Sequence, residues 1–286
     1  MSIENFIVEK VKSANIKFTR AQQLVADYVL KNSDKFTYMT ANQIAKEVGV
    51  SETTVIRFSL TLGYRRFSDL QDELRQLVIE DRTVQRLQKT QRNVKEGQIL
   101  NASFEHDMKN LQKSLEQIDE FEFNDVVKLI CGAKHTYIIG LRSSLTDAYY
   151  LAFSLNAMLG NVEAVTDNGL ALESCLLNAT KDCVVICFSF TRFTAITLEA
   201  LQYIKKNNQC KVVTITDSVR SPAIQYSDYV FIMNIDSLTP IDSHVSSIAF
   251  SNALIAAIGQ RQNEKVEENL NTLESYFKQV KTFYDN

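Results

Sequence analysis

The sequence predicts an all-α domain that contains a helix-turn-helix, followed by an α/β three-layer sandwich with a parallel sheet. Three observations lead to this prediction. Residues 41–58 have the spacing of a helix-turn-helix, residues 78–103 are polar without a dense apolar stripe, and beyond them short apolar runs alternate with helical stretches. We therefore divide the 286 residues into a helix-turn-helix domain (1–77), a helical linker (78–103) and an α/β domain (104–286).

The first domain should consist of consecutive short helices. Thr19 is a suitable N-cap for a helix with an apolar stripe that includes Val25 and Val29, and this helix should pack against the motif. Gly63 should end the second helix of the motif. Phe67 then begins the apolar periodicity of a further helix.

The segment from Ala41 to Phe58 meets four requirements of a helix-turn-helix at one register. Ala45 is small where a second helix must cross closely, and Gly49 can adopt the left-handed turn conformation. Val55 lies on the inner face of the next helix, and Ser51 is a natural N-cap for that helix. An ordinary helical hairpin is the alternative, but the coincidence of four constraints favours DNA binding.

Polar residues near the start of the second helix should face outward, where a recognition helix meets base edges in the major groove. Basic residues that follow the helix could contact phosphates. The predicted contacts with double-stranded operator DNA are Ser51, Glu52, Thr53, Thr54, Arg57, Arg65 and Arg66.

The charge distribution supports this interpretation only weakly. The net charge is −3, but residues 1–75 hold 11 Lys and Arg against 9 Asp and Glu. The small basic surplus therefore lies in the same part of the chain as the motif. Phosphate contacts normally need a basic surface, so the charge alone would not indicate DNA binding.

The composition also limits the class of protein. The first twenty residues lack the pattern of a secretory signal, and no apolar run approaches the ~18 residues that cross a bilayer, so we expect a cytoplasmic protein without a membrane contact. The cysteines are odd in number and irregularly spaced, which is typical of reduced core thiols, and the histidines are scattered. We expect no metal, no cofactor and no catalytic residue. The cysteines are Cys131, Cys175, Cys183, Cys187 and Cys210.

Five short, β-branched apolar runs in the second half are typical of strands that are buried on both faces. Helical stretches between them predict a parallel sheet with right-handed crossovers. The expected strands are 136–141, 162–165, 183–188, 211–215 and 229–233, with helices over about 104–118, 144–159, 169–179, 194–206 and 220–226.

Hydroxyl residues follow the first and third expected strands, each time at the start of a helix. Ser144 lies in the first of these loops, and Ser189, Thr191 and Thr194 lie in the second. Helix N-termini bind phosphate well, because unpaired N–H groups and the helix dipole face the anion. Ser and Thr are also ordinary N-caps, so each loop taken alone has a purely structural explanation. Their occurrence at two strand ends indicates a site for a phosphorylated small molecule.

The residues that carry these patterns resemble a known family. The stretch from Phe18 to Leu77, especially Gly-Val-Ser-Glu-Thr-Thr-Val-Ile-Arg-Phe and Leu-Gly-Tyr-Arg-Arg-Phe-Ser-Asp-Leu, resembles the RpiR/MurR-type bacterial transcriptional regulators. The second half resembles their sugar isomerase (SIS) domain. The resemblance implies an SIS-like fold and regulation of DNA binding by a phosphorylated sugar.

Two SIS motifs can be placed on the chain by this resemblance. Gly-x-Gly-x-Ser falls on residues 140–144 and Ser-x-Ser-Gly-x-Thr on residues 189–194. Hydroxyls remain at every expected position, whereas Arg142 and Arg192 replace the two loop glycines. Each arginine either adds a bidentate phosphate partner or fills the space that glycine leaves. The ligand-binding residues that the resemblance implies are Ser144, Ser189, Thr191, Thr194, Arg142 and Arg192.

The recognition helix departs from the family too. Ser59, Leu60 and Thr61 stand where basic residues are common, which suggests fewer phosphate contacts from that helix.

A sugar-phosphate isomerase or lyase is the alternative function, because SIS domains also occur in such enzymes. The candidate bases are weak: Glu173 reads as a solvated helix residue, and His244 as a cap or surface residue. A ligand sensor is the simpler use of a pocket fused to a DNA-binding domain. One helix-turn-helix offers few contacts, so we expect a homodimer or homotetramer, with the apolar segment Ile248–Ile258 as part of its surface.

Overall fold

The computed structural model describes residues 6–7, 9–11, 17–32, 36–37, 39–95 and 97–284. The chain forms two compact units, Met1–Asn93 and Val94–Asn286. The first is helical and the second is an α/β domain, which confirms the predicted fold class.

The helices of the first unit begin and end as the capping residues require. Thr19 accepts from the backbone N–H of Gln22, and Gly49 has φ of 76° after the second helix. Both features were predicted from the sequence. The helices are α1 (Arg20–Lys31), α2 (Ala41–Val48), α3 (Glu52–Thr61) and α4 (Phe67–Asn93).

The core of the first unit joins all four helices. Its fully buried side chains come from these helices and from Phe36, which precedes α2, and the ring of Phe18 packs on Phe58 with 5.2 Å between centroids. These fully buried residues are Val25, Val29, Phe36, Ile44, Val55, Phe58, Leu70 and Leu74.

The predicted linker does not form a separate element. The helix α4 runs past residue 77, where the sequence placed the end of the first domain, and continues to Asn93. The next helix, α5 (Ile99–Leu115), begins shortly after Gly97, which has φ of 85°. Polar residues without a glycine or proline can continue a solvated helix, so a change in polarity need not end it. The two units therefore meet between Asn93 and Val94.

The second unit is a five-stranded parallel sheet with the strand order β2-β1-β3-β4-β5. Helices precede, connect and follow the strands, and α6 was not predicted. The remaining elements are α6 (Glu120–Gly132), β1 (Thr136–Gly140), α7 (Leu145–Leu159), β2 (Val162–Val165), α8 (Leu170–Asn178), β3 (Val184–Phe188), α9 (Ala195–Tyr203), β4 (Lys211–Thr216), β5 (Tyr229–Ile232), α10 (Val245–Arg261) and α11 (Asn263–Val280).

Burial follows the position of each strand in the sheet. The strands β1 and β3 are buried along their whole length, whereas the edge strands β2 and β5 are only partly buried. The expectation of strands buried throughout therefore holds for the centre of the sheet. An edge strand has one neighbour instead of two, which is why β2 accommodates Glu163.

The prediction of a helix over residues 220–226 is wrong. Only a single 3-10 turn, Ile224–Tyr226, is present. Pro222 disfavours the helical conformation of Ser221, and the hydroxyl of Ser221 accepts from the backbone N–H of Ala223. The local turn therefore replaces a helix.

Four of the five cysteines are buried, Cys131 is partly exposed, and all five are free thiols. Burial raises the pKa of Cys187 to about 12. These groups are therefore core side chains, as the sequence indicated.

No helix among the described residues is both long and apolar enough to cross a membrane.

Candidate functional site

The helix-turn-helix is held at a defined angle by its turn. The helix α2 begins with a capping box between Thr40 and Gln43 and ends at Gly49 in the left-handed conformation. Ser51 then accepts from the backbone N–H of Thr54 at 3.2 Å and starts α3. Ala45 and Val55 are buried between the helices, so α3 presents its opposite face outward.

The structure places the predicted DNA-contacting residues on one exposed surface, which we call the α3 face. Ser51, Glu52, Thr53 and Arg57 are exposed and Thr54 is partly buried. Three of these side chains have partners: the Ser51 hydroxyl lies 2.9 Å from that of Thr54, and Glu52 accepts from Asn42 at 3.5 Å. Thr53 and Arg57 are therefore the side chains that the α3 face presents most freely.

The basic residues after α3 differ in their surroundings. Arg65 and Arg66 are both exposed, but the guanidinium of Arg66 lies 3.0 Å from the carboxylate of Asp69. An exposed ion pair of this kind is weak, at about 0–1 kcal/mol, so a phosphate could replace the carboxylate.

The polar residues at the end of α3 have structural roles. Ser59 is fully buried and donates to the carbonyl of Ile56 at 2.7 Å. Thr61 donates to the carbonyl of Arg57 and accepts from the side chain of Gln22 on α1 at 2.8 Å. These two residues hold α3 in place, which explains why basic side chains are absent there.

The second candidate site lies in the α/β unit, where the loops after β1 and β3 meet. These strands are neighbours in the sheet, and the chain leaves them toward opposite faces, so a crevice opens at their carboxyl ends. The loop after β1 contains a 3-10 turn, Arg142–Ser144, which leads directly into α7. The loop after β3 covers residues 189–194 and leads into α9.

Gly140 allows α7 to approach the end of β1. A Cβ atom at this position would lie 2.3 Å from the carbonyl oxygen of Ser144 and 2.7 Å from Cβ of Ala148. Both distances are far below van der Waals contact. The first turn of α7 can therefore lie over the strand end only because residue 140 is glycine.

Both arginines of the loops have a left-handed backbone. Arg142 has φ of 58° and Arg192 has φ of 72°. For a residue other than glycine this conformation costs about 1–2 kcal/mol. The loops therefore retain a glycine-like conformation at the two positions where the motifs have glycine.

The hydroxyls of the two loops are not used as helix caps. Ser144 and Thr194 occupy the N-cap positions of α7 and α9, but neither side chain forms a capping hydrogen bond. Ser189 is 4% exposed, and its hydroxyl has no hydrogen-bond partner among the described residues. Buried polar groups without a partner are rare, so these hydroxyls call for an explanation other than capping.

Thr191 has a different environment from the other hydroxyls. Its backbone N–H donates to a carboxylate oxygen of Asp217 at 2.8 Å, and its hydroxyl donates to the other oxygen. Asp217 follows β4, so this contact fixes the loop to the next strand. A direct phosphate contact by Thr191 stays a prediction, since its donor is used by Asp217.

A buried carboxylate and a histidine lie beside the two loops. Asp147, in the first turn of α7, is fully buried, and its carboxylate lies 2.6 Å from Nδ1 of His244. Ser247 donates to its other oxygen. Burial lowers the pKa of His244, but the hydrogen bond and charge of Asp147 and the charge of Asp242 outweigh burial and raise this pKa above its usual value.

Sequence reasoning missed this cluster almost entirely. His244 was expected to be a cap or surface residue, and it does occupy the N-cap position of α10, but its side chain forms no capping hydrogen bond, is only 16% exposed and is paired with Asp147. One signal was available, because Asp147 stands four residues before Leu151 and eight before Leu155, on the buried face of α7. Glu173 is exposed in α8, as expected for a solvated residue.

Two family models match the chain. The helix-turn-helix domain of the rpiR family matches residues 6–79, and the SIS domain matches residues 129–257. Among similar sequences, the HTH-type transcriptional regulator HexR of Escherichia coli is 24% identical over 284 residues, covering 96% of this chain and 94% of that regulator. An uncharacterized HTH-type transcriptional regulator of Haemophilus influenzae is 26% identical over 229 residues, covering 79% of both chains.

Solved structures share the fold. The sugar isomerase domain of an RpiR transcription factor from Sphaerobacter thermophilus is 27% identical, with a TM-score of 0.59, and covers 62% of this chain and 99% of its own. The NanR protein of Vibrio vulnificus, complexed with ManNAc-6P, is 19% identical with a TM-score of 0.64, covering 97% of this chain and 99% of its own.

The helix-turn-helix unit and the SIS unit together define a DNA-binding transcriptional regulator. The chain belongs to the RpiR family of HTH-type regulators, as the resemblance of its motifs predicted.

The contact at Gly140 gives a stability prediction. We expect Gly140→Ala to lower the free energy of unfolding by about 1–3 kcal/mol, because the new methyl group forces α7 away from β1. Urea unfolding followed by circular dichroism measures this loss. Gly132→Ala is the matched control, since a Cβ there meets nothing within 4 Å. Equal stability of the two variants would show that α7 does not need the close approach.

Proposed function

We propose that this protein binds operator DNA through the α3 face and that a phosphorylated sugar, bound in the crevice between the loops after β1 and β3, modulates that binding. The protein would act in the cytoplasm as a homodimer or homotetramer, without a metal or cofactor. The SIS match and the helix-turn-helix match support a sensor joined to a DNA-binding domain.

The main observation that supports the effector site is the pair of arginines with a left-handed backbone conformation. Arg142 and Arg192 stand at the carboxyl ends of adjacent strands, and neither guanidinium forms an ion pair with another described residue. A strained backbone persists where the surroundings impose it, and such positions cluster at ligand sites. Two free guanidinium groups beside helix N-termini provide the charge and the donors that a phosphate needs.

The exposure of these arginines favours a binding role over a filling role. A side chain that fills the crevice would be buried, whereas both Arg142 and Arg192 are exposed. A separate cavity of about 440 Å³ is lined mainly by apolar side chains such as Leu111 and Phe250, and no residue of the two loops lines it. Its chemistry does not suit a phosphorylated sugar, so we assign the effector to the loops.

The relatives support the same assignment. Chains that match this one are named transcriptional regulators, and the NanR protein with the same fold is complexed with ManNAc-6P. ManNAc-6P is a phosphorylated sugar, and the two cationic loops suit that class of effector.

For the DNA site we expect Arg57→Ala to cost roughly 1–3 kcal/mol of binding free energy and to relax sequence specificity, because Arg57 would read a base edge. Binding to a site selected from random-sequence DNA, and to its single-base variants, measures both effects. Arg65→Ala is the control, because it should weaken binding to all DNA sequences alike and reduce the salt dependence of that binding. A uniform loss for Arg57→Ala would assign Arg57 to phosphate instead.

The structure also changes the surface that we propose for self-association. The segment Ile248–Ile258 was expected to contribute, but Phe250, Leu254 and Ile258 of α10 are buried in the core. The helix α7 is one of several that carry large exposed apolar side chains. Tyr149 is 59% exposed and Phe153 is 67% exposed, and their rings stack 6.3 Å apart. We propose that a second copy of this chain covers them.

A dimer through α7 predicts the effect of a charge on that surface. Phe153→Glu should yield a monomer at micromolar concentration in light scattering, because a buried unpaired carboxylate opposes association. Phe121→Glu is the control, since Phe121 is 85% exposed on α6. Specific DNA affinity should fall with Phe153→Glu, because two half-sites then bind separately. A wild-type monomer that is unchanged by operator DNA would overturn this proposal.

For the effector site we expect Ser189→Ala to abolish the effect of a phosphorylated sugar on DNA binding, while DNA affinity without sugar stays unchanged, because the ligand alone couples the two sites. Ser154→Ala is the control, since its hydroxyl bonds only within α7. A thermal-shift assay can screen phosphorylated sugars for binding, because a ligand at a hundred times its Kd adds about 2.7 kcal/mol to the free energy of unfolding.

The arginines are tested separately. Arg142→Ala or Arg192→Ala should weaken binding of the sugar more than Ser189→Ala does, because charged hydrogen bonds are roughly twice as strong as neutral ones. Tighter binding after glycine replaces both arginines would show that they only fill the crevice.

An isomerase or lyase is less well supported by the geometry. Such chemistry needs an unprotonated base in the crevice, but Asp147 and Asp242 raise the pKa of His244 and so favour its protonated form, and Glu173 is solvent-exposed. A coupled assay over several sugar phosphates distinguishes the two functions, and turnover by the wild-type protein would contradict the sensor.

A further inference from the structure

His244 connects the two loops of the proposed effector site. Its ring packs edge-on against Phe190 in the loop after β3, with 5.7 Å between centroids and 77° between planes. Its Nδ1 contacts Asp147, three residues after Ser144 in the chain that leaves β1. The imidazole therefore lies against both elements that would hold the phosphate.

Asp147 fixes the orientation of this ring. The carboxylate is fully buried and is held by Ser247 on one oxygen and by His244 on the other. It also lies in the first turn of α7, where the helix dipole stabilises negative charge. With Nδ1–H donated to Asp147, the opposite nitrogen, Nε2, carries a proton in the imidazolium form and is then a second donor that points elsewhere.

No protein group receives that donor. Nε2 of His244 is buried and has no hydrogen-bond partner among the described residues, and the same is true of the hydroxyl of Ser189, next to Phe190. Two buried polar atoms without a partner on contacting elements are unusual, since more than about nine in ten buried polar groups are paired. Their common location indicates a missing acceptor.

We propose that His244 is an effector-binding residue, whose Nε2–H donates to a phosphate oxygen of the sugar while Asp147 holds the ring. This inference rests on the proposed function and extends it, because it adds a titratable donor to the loop hydroxyls and arginines. Asp147 acts through His244 and is a positioning residue.

The charge of His244 makes effector binding depend on pH. The ionisable groups that act on it are Asp147 from α7 and Asp242 from the segment before α10, while the loop after β3 contributes Phe190. Both carboxylates favour the imidazolium form. The phosphate gains its second charge above pH ~6, and His244 loses its charge above its raised pKa. The affinity for the phosphorylated sugar should therefore rise and then fall with pH. The fall is caused by the loss of the charge of His244, because arginine stays charged throughout.

Two isosteric variants of the full-length chain test the inference. His244→Asn retains a donor to Asp147 and removes the donor at the Nε2 position, whereas His244→Gln provides a neutral donor near that position. Ser247 still donates to Asp147 in both variants, so neither leaves this buried carboxylate without a partner, which would destabilise the core. His135→Asn is the control, since His135 precedes β1 at the opposite end of the strand and faces Glu163.

Calorimetry with inorganic phosphate and a panel of hexose 6-phosphates, including ManNAc-6P, should be run between pH 6 and 9. We expect His244→Asn to weaken binding about 10- to 100-fold at pH 6.5. His244→Gln should weaken it less, and both variants should lose the decline at high pH. The His135→Asn variant should behave as the wild type.

The outcomes separate the two proposals. Binding by the wild type with an unchanged affinity and pH profile in His244→Asn would overturn the role of His244 and leave the effector site standing. No binding of any probe to the wild type would overturn the effector site itself. Nitrogen NMR of the imidazole gives an independent readout, because Nε2 of His244 should shift on binding and that of His135 should not.

Discussion

The contact between the end of β1 and the first turn of α7 determines the arrangement of the α/β unit's candidate site. Gly140 lets the backbone of Ser144 approach to a distance that no side chain would permit. This approach brings the N-terminus of α7 to the sheet edge and places Asp147 in the core. Asp147 then positions His244 beside the neighbouring loop. One glycine thus sets the relation between the backbone of the loop after β1 and the buried polar cluster.

The two loop arginines show how a changed side chain can coexist with an unchanged backbone. Both residues keep the left-handed conformation that glycine adopts without strain. The local cost, about 1–2 kcal/mol for each residue, must be offset by the packing of the adjoining strands and helices. What the substitution adds is a pair of cations at the carboxyl ends of the two central strands. A change of this kind alters the charge and shape of a ligand site and leaves the fold intact.

In the helical unit, some polar residues of the short helix α3 hold the helix in place, whereas others are exposed to solvent. Ser59 and Thr61 are engaged with the backbone of α3 and with Gln22 of α1, whereas Thr53 and Arg57 remain available on the α3 face. The hydrogen bond from Gln22 to Thr61 ties α3 to the preceding helix and so limits its orientation. A rigid α3 would lose little conformational entropy when it enters a groove.

The sequence by itself determined the two fold classes, the helix-turn-helix register, the capping residues and the positions of five strands along the chain, because each depends on local periodicity or on a backbone requirement such as the one met by Gly49. It also located both loops of the crevice. It did not determine that α4 continues to Asn93, that residues 220–226 form only a turn, or that Asp147, His244 and Ser247 come together. The cluster of Asp147, His244 and Ser247 depends on contacts between residues that are up to a hundred positions apart. Only tertiary packing decides which distant groups share a buried environment, and burial is what turns a carboxylate and an imidazole into a fixed pair.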